Sequence, residues 1–175
     1  MTLADINWET WKAVDTATLV FVMQDAEMLL IRKKRGLGAG KINGPGGRVD
    51  PGETVLQCAV REVQEELLIT PTDLSKRGEL LFQFTDGYSI HVHVFRAEGY
   101  EGTPTETDEA IPLWTPINAL PYDEMWEDDR IWLPCIIDSR PFFGRFIFDK
   151  DAMLDYDFEV DGEPVSSMAM DSDVS

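Results

Sequence analysis

Between Arg35 and Gly52 the chain places seven of its 13 glycines and two of its ten prolines. A stretch of that composition has no apolar period with which to build a core element, so it reads as a long loop. Loops of this length inside a compact domain are usually functional. From Thr54 to about Leu68 the pattern changes: Val55, Leu56, Ala59, Val60, Val63 and Leu67 return to one side at the helical period. A glycine-rich loop therefore opens directly into an amphipathic helix, with Pro71 expected to stop it.

The flanking segments read mainly as strands. Thr18 to Val22 and Met28 to Ile31 form a hairpin across Asp25-Ala26, and Glu79 to Thr85 and Ser89 to Arg96 form another across Asp86-Gly87. Residues 103–119 read as an irregular crossing with a short strand near Leu113 to Thr115. An acidic start at Asp128 suits a helix running to Ile137, with a kink expected at Pro134. Phe142 to Phe148 and Met153 to Val160 close the pattern, the latter alternating Leu154, Tyr156, Phe158 and Val160 with acids. Residues 1–14 fit either a cap over the core or an outer strand. This strand, loop, helix, strand order allows an α/β fold.

With 33 acidic and 15 basic residues among 175, the net charge is −18. Long phosphate polymers need clustered Lys and Arg, so polymeric nucleic acid is not an expected partner. A single domain over 1–163 and a disordered acidic tail over 164–175 are expected, in a monomer. Cys58 and Cys135 show no metal-ligand spacing and read as free buried thiols in a reducing compartment. No basic leader and no apolar run near the ~20 residues of a membrane span is visible, so a cytoplasmic location without membrane partners is the expectation.

Chemistry concentrates on the helix. Glu62 and Glu66 lie about 40° apart on its wheel and Glu65 about 60° to the other side, so three carboxylates share one stripe. Glu66 lies nearest the apolar border and is expected to be partly shielded. Two carboxylates about 6 Å apart repel by roughly 3 kcal/mol at an effective dielectric near 20. Crowding three is unfavourable unless a cation joins them. Oxygen donors without His or Cys select Mg²⁺, with Mn²⁺ as the second choice, and such ions bridge to substrate phosphates. Arg61, four residues before Glu65, can also pair with Glu53 and orient the group.

Gly47, Glu53, Arg61, Glu62, Val63, Glu65, Glu66 and Ile69 resemble the Nudix hydrolase signature, G-x5-E-x7-R-E-U-x-E-E-x-G-U with U aliphatic. Leu68 stands where the signature has glycine, which predicts a shifted helix end with Leu68 packed inside. The resemblance implies a mixed sheet flanked by helices, and a cation on Glu62, Glu65, Glu66 and the Gly47 carbonyl. Water is the nucleophile, with Glu62, Glu66 and the loop residue Glu109 as candidate bases.

The stretches 33–41, 43–47, 92–95 and 123–129 resemble the branch of that family acting on oxidised purine nucleoside triphosphates. That likeness implies hydrolysis of 8-oxo-dGTP or 2-hydroxy-dATP to monophosphate and pyrophosphate, sanitising the nucleotide pool. It also implies that Asn43, Asp128 and Asp129 hydrogen-bond the base and Trp126 stacks on it. An 8-oxo-purine offers an N7–H donor where the ordinary base has an acceptor. Two adjacent buried Asp sharing a proton supply one donor and one acceptor. Phe82, Phe84 and Ile90 are candidate pocket walls, and Lys33 a candidate contact to base or phosphate. His91 and His93 carry no assigned role. The alternatives are another Nudix substrate (dinucleoside polyphosphate, nucleotide sugar or capped RNA) and a nucleotide-binding module without catalysis.

Overall fold

The structure, a computed structural model, describes residues 1–165. Strand β1 (Asp15–Gln24) turns through Asp25 into β2 (Glu27–Lys33), with Val22 opposite Leu29. Two short strands follow in the glycine-rich segment, β3 (Ile42–Asn43) against β2 and β4 (Gly46–Arg48) against β1. Helix α1 (Val55–Leu67) leads into β5 (Thr70–Phe84), which forms a hairpin with β6 (Ser89–Glu101). Then come β7 (Ala110–Pro116), α2 (Asp129–Ile137), β8 (Phe142–Asp149), β9 (Ala152–Val160) and β10 (Glu163–Pro164).

The main path of the sheet is β10-β9-β8-β5-β6-β1-β2-β3, with β4 and β7 pairing β1 and β2 off it. It is mixed: β1 runs parallel to β6 and β5 parallel to β8, while the other pairs are antiparallel. The α/β expectation holds. Alternate residues of β1 divide between two cores. Val20 and Val22 pack with Ala59, Val63 and Leu67 of α1, whereas Phe21 and Met23 pack with Trp132 and Ile136 of α2. A strand covered on both faces reads as a continuous apolar run, which is why 18–22 lacks alternation.

Several local expectations are corrected. The 35–52 segment is not wholly loop, because Gly46 lies so close to β1 that a Cβ there would stand 1.9 Å from the Thr18 carbonyl oxygen. Pro71 does not stop α1; it sits inside β5 opposite Tyr100. The helix ends at Leu68, an αL cap with φ 59 whose N–H reaches the Gln64 carbonyl. That is the glycine's geometry carried by leucine, and the side chain is 58% exposed rather than packed inside. The short strand expected near 113–115 extends over the whole of β7 because β2 offers a partner from Glu27 to Lys33. Where β9 pairs β8, the register shifts between Ile147 and Phe148 and breaks the alternation, so Met153 packs against the core and Leu154 is 47% exposed.

The N-terminal segment is a cap, not a strand: the Leu3 amide donates to Asp155 and the Trp11 indole to Gln83. Pairing at the other end reaches Pro164, opposite Glu159, and Val165 N donates to the Phe158 carbonyl. The rest of the proposed tail, 166–175, lies outside the described residues. Cys58 and Cys135 are free and buried. Among the described residues no helix is long and apolar enough to cross a membrane.

Candidate active site

Helix α1 is opened by Thr54, whose hydroxyl accepts from Gln57 N while the Gln57 side chain accepts from Thr54 N, a reciprocal cap. The helix then carries Arg61, Glu62, Glu65 and Glu66 toward β4. Arg61 is the hub of this patch. It holds Glu53 through two bonds of 2.7 and 2.9 Å, Glu62 at 2.8 Å and Glu65 at 3.2 Å, and donates to the Arg48 carbonyl at 3.0 Å. The guanidinium pulls the Glu53 carboxyl down to about 2, so Glu53 is a permanent anion clamped on Arg61.

Glu62 and Glu66 are placed differently. Glu66 is 4% exposed and accepts from Gly46 N at 3.3 Å. Burial, reinforced by Glu62, pushes its carboxyl up to about 8. Burial also raises Glu62, against the pull of Arg61. Glu109, just before β7, completes the group: ligand atoms of Glu62, Glu66 and Glu109 all lie within 4.8 Å of one another. Arg35 holds Glu109 at 2.9 Å, and Thr107 ties this loop to α1 by donating to the Glu66 carbonyl at 2.7 Å. The converging acids are therefore Glu62, Glu66 and Glu109. Glu65 leans onto Arg61 with its side chain 51% exposed.

These donors suit a hard divalent cation. Three oxygens converge where two of the carboxyls are driven toward protonation by burial, a cost that a cation removes. Gly47 adds a cradle, since a Cβ there would stand 2.4 Å from the Glu62 carboxyl carbon.

A cavity of about 220 Å³ runs from this patch across the sheet, lined at the acid end by Lys33, Gly46, Gly47 and Glu66. Burial pushes the Lys33 ammonium down while Glu66 pulls it back up, so Lys33 faces the acids from inside the cavity. The far end is aromatic: Phe82, Phe84, Trp126 and Phe148, with Ile90. Trp126 stands edge-on to Phe84 and Phe148, at centroid distances of 6.3 and 5.6 Å. The Lys41 ammonium lies 5.2 Å from the Trp126 ring centre. Gly38 allows the loop to close on Trp126, because a Cβ there would come within 2.8 Å of the indole nitrogen.

Polar groups at that end are few. Asn43 Oδ1 accepts from Gly44 N at 2.8 Å, so its amide nitrogen is the end left to donate. Asp128 and Asp129 are each 2% exposed. Asp128 Oδ2 accepts from the Trp132 indole at 2.6 Å, and burial raises this carboxyl to about 6. Asp129 is raised well above the ordinary range by burial and by the charge of Asp128, and its Oδ2 is buried without a hydrogen-bond partner among the described residues. An orphaned oxygen inside an otherwise aromatic cavity is a hydrogen-bonding position awaiting a ligand.

Every residue expected at the base or phosphate thus lines one cavity: Asn43, Trp126, Asp128, Asp129, Lys33, Phe82 and Phe84. Trp132, Phe148, Tyr88 and Leu37 line it too and carried no assignment. Trp132 had a legible signal, standing four residues after Asp128 on one helical face. Phe148 had none, because its place depends on β8 pairing alongside β5.

Comparison with known proteins gives a family match. A model described as the NUDIX domain matches residues 13–135. The chain is 46% identical over 132 residues to an oxidized purine nucleoside triphosphate hydrolase of Danio rerio, covering 75% of this chain and 85% of that one. It is 42% identical over 147 residues to the oxidized purine nucleoside triphosphate hydrolase of Mus musculus, covering 82% and 94%. Among solved structures, a MutT mutator protein from Bacillus halodurans superposes with a TM-score of 0.74 at 25% identity, over 86% of this chain and all of the other.

Proposed function

Since this chain belongs to the NUDIX domain family, we propose that it hydrolyses oxidised purine nucleoside triphosphates, with 8-oxo-dGTP and 2-hydroxy-dATP as substrates, to monophosphate and pyrophosphate. Its relatives named for that activity support the reading. The observation that carries it is one cavity joining a buried carboxyl pair, with Asp129 Oδ2 unpartnered among the described residues, to Glu66 of the converging acids.

The base enters the aromatic end against Trp126, its edge meeting Asp128, Asp129 and Asn43. Because the two carboxyls share a proton, one donates and one accepts, and the accepting oxygen matches the N7–H that oxidation creates. The phosphates extend toward Lys33 and the glycines of β4. Glu62 and Glu66 with the Gly47 carbonyl would hold a divalent cation, Glu109 converging beside them, while Glu65 would have to leave Arg61 to join; Mg²⁺ is the ion these oxygen donors suit, with Mn²⁺ second. When bound, such a cation neutralises phosphate charge and lowers the pKa of the attacking water. Whichever carboxylate among Glu62, Glu66 and Glu109 is not fully engaged with the cation would take the proton of that water as its oxygen bonds to phosphorus and the anhydride bond between monophosphate and pyrophosphate breaks. Arg61 and Glu53 orient the acids.

The reading includes a single domain over 1–163, a monomer, and no polymeric nucleic acid partner, which the charge of −18 supports. The free thiols Cys58 and Cys135 support a reducing, cytoplasmic setting. Formation of nucleoside monophosphate with Mg²⁺ from 8-oxo-dGTP, 2-hydroxy-dATP, dGTP, a dinucleoside polyphosphate and a nucleotide sugar tests the proposal. Preference for the oxidised purines is expected. Equal rates on dGTP overturn the base assignment, and turnover confined to the last two overturns the substrate class.

A further inference from the structure

On the sheet face opposite the cavity, His91 and His93 of β6 stand beside Glu79 of β5. Their positions follow from strand geometry. Residues two apart on a strand share a face, and the register sets Glu79 directly opposite His93. Ile90, between Ser89 and His91, lines the cavity on the other side.

The two imidazoles stack with centroids 4.4 Å apart and planes 21° from parallel. Glu79 Oε1 lies 2.6 Å from His91 Nε2 and 3.8 Å from His93 Nδ1. Ligand atoms of all three residues fall within 4.8 Å of one another. His93 Nδ1 is buried and has no hydrogen-bond partner among the described residues, an unmet requirement that costs stability unless something fills it. The other oxygen of Glu79 is held by Lys76 at 2.8 Å, which turns Oε1 toward the rings.

We infer that His91, His93 and Glu79 form a binding site for a divalent transition ion, separate from the carboxylate patch of α1. Two imidazole nitrogens and one carboxylate oxygen are a donor set that zinc accepts, leaving a fourth position for water. Magnesium, which favours oxygen donors, would not compete for it. Donors around a tetrahedral zinc stand roughly 3.4 Å apart and an imidazole binds in its ring plane, so on loading the pair at 3.8 Å closes, the pair at 2.6 Å opens and one ring turns out of the stack. The side chains are 30%, 13% and 35% exposed for His91, His93 and Glu79, which leaves an entry path from solvent. Lys76 holds Glu79 as a carboxylate partner outside the ligand set does in known sites. An ion here ties β5 to β6 directly behind the cavity wall.

The test is calorimetric titration of Zn²⁺ into the full chain with Mg²⁺ at about 10 mM, a concentration chosen to fill oxygen-donor sites. About one equivalent is expected to bind, and Co²⁺ in its place should show the absorption of a nitrogen-ligated, low-coordinate ion. His93→Ala, His91→Gln and Glu79→Gln should each weaken binding by roughly tenfold or more while leaving Mg²⁺-dependent pyrophosphate release at the parent rate. If His93→Ala does not fold, as judged by lost basal turnover, the more exposed His91→Gln carries the result. Absence of Zn²⁺ binding overturns the proposal, as does binding that these variants leave unchanged or that Mg²⁺ abolishes.

Discussion

The Trp132 indole donates a 2.6 Å hydrogen bond to Asp128 Oδ2, with both side chains buried. This contact satisfies Asp128 Oδ2, whereas Asp129 Oδ2 has no hydrogen-bond partner among the described residues. Asp129→Asn replaces an acceptor at that oxygen by an amide whose ends compete for the same space. The ratio of 8-oxo-dGTP to dGTP turnover is expected to fall by about tenfold, near 1.4 kcal/mol of discrimination. Asp128→Asn should lower the same ratio. An unchanged ratio in both variants contradicts the base contact.

The same pair makes stability depend on pH. Asp128 is raised to about 6 and Asp129 well above its ordinary value, so the folded protein holds protons that the unfolded chain releases near 4. Stability from this pair is full below the unfolded values and is lost as pH rises through the folded ones. Relative to Asp129→Asn, the parent protein should lose Tm between pH 5 and pH 8 in the absence of nucleotide. A Tm difference that stays flat across this window shows that the pair does not hold a shared proton.

Glu66→Gln is expected to lower turnover by about a hundredfold or more, the usual worth of a proton-transfer or cation-holding group. The fold should survive, because the amide oxygen can still accept from Gly46 N and a neutral group is better suited to a position 4% exposed. Thermal melts separate the two effects: an unchanged or higher Tm with lost activity is the expected pair of results. Near-parent turnover removes Glu66 from the mechanism.

A methyl group at Gly47 would come within 2.4 to 2.6 Å of the Glu62 carboxyl. Gly47→Ala should therefore displace that carboxyl and weaken the Mg²⁺ dependence of turnover by about tenfold or more, a loss typical of disturbed ligand orientation. Titrating Mg²⁺ against activity checks this. A parent-like Mg²⁺ curve argues that Glu62 does not need its present position.

At the end of α1, Leu68 carries a left-handed conformation at a cost of roughly 1–2 kcal/mol. Its side chain is mostly exposed, so little burial is lost on truncation. Leu68→Gly should raise stability by about 1 kcal/mol, or roughly 3 °C in Tm for a chain of this size. A fall in Tm would mean that the leucine side chain makes contacts that outweigh the strain.

How far a position was legible follows from the range of the interaction that places it. The acid stripe of α1 and its apolar face depend on neighbours within one or two helical turns, and the place of Glu66 at their border anticipated a shielding that Gly46 and the loop at Thr107 complete. The strand pairs β1–β2 and β5–β6 were legible for the same reason, since a short turn holds each together. Leu68 was misread because a glycine-like backbone was not expected from a residue with a branched side chain, although the Gln64 carbonyl and the run into β5 impose it.

The acidic partner of the histidines was invisible in chain order. His91 and His93 announce a shared face, but Glu79 reaches them across the hairpin, at a register set by an irregularity between Lys76 and Gly78. Likewise Glu65 stood in the expected cation set and Glu109 only among the candidate bases, and the fold brings Glu109 rather than Glu65 to Glu62 and Glu66. Arg61 draws Glu65 outward, while the Thr107 contact swings Glu109 in beside Glu66.

Chain order alone thus specified that a glycine-rich loop feeds a helix bearing a carboxylate stripe, because a helix repeats every few residues and needs no distant partner to align its faces. Which acids meet, which oxygen of the Asp pair is left unpaired, and which cavity both ends share were decided by packing between segments far apart in the chain. Those outcomes rest on sheet register and on hydrogen bonds between loops, and no local period encodes either.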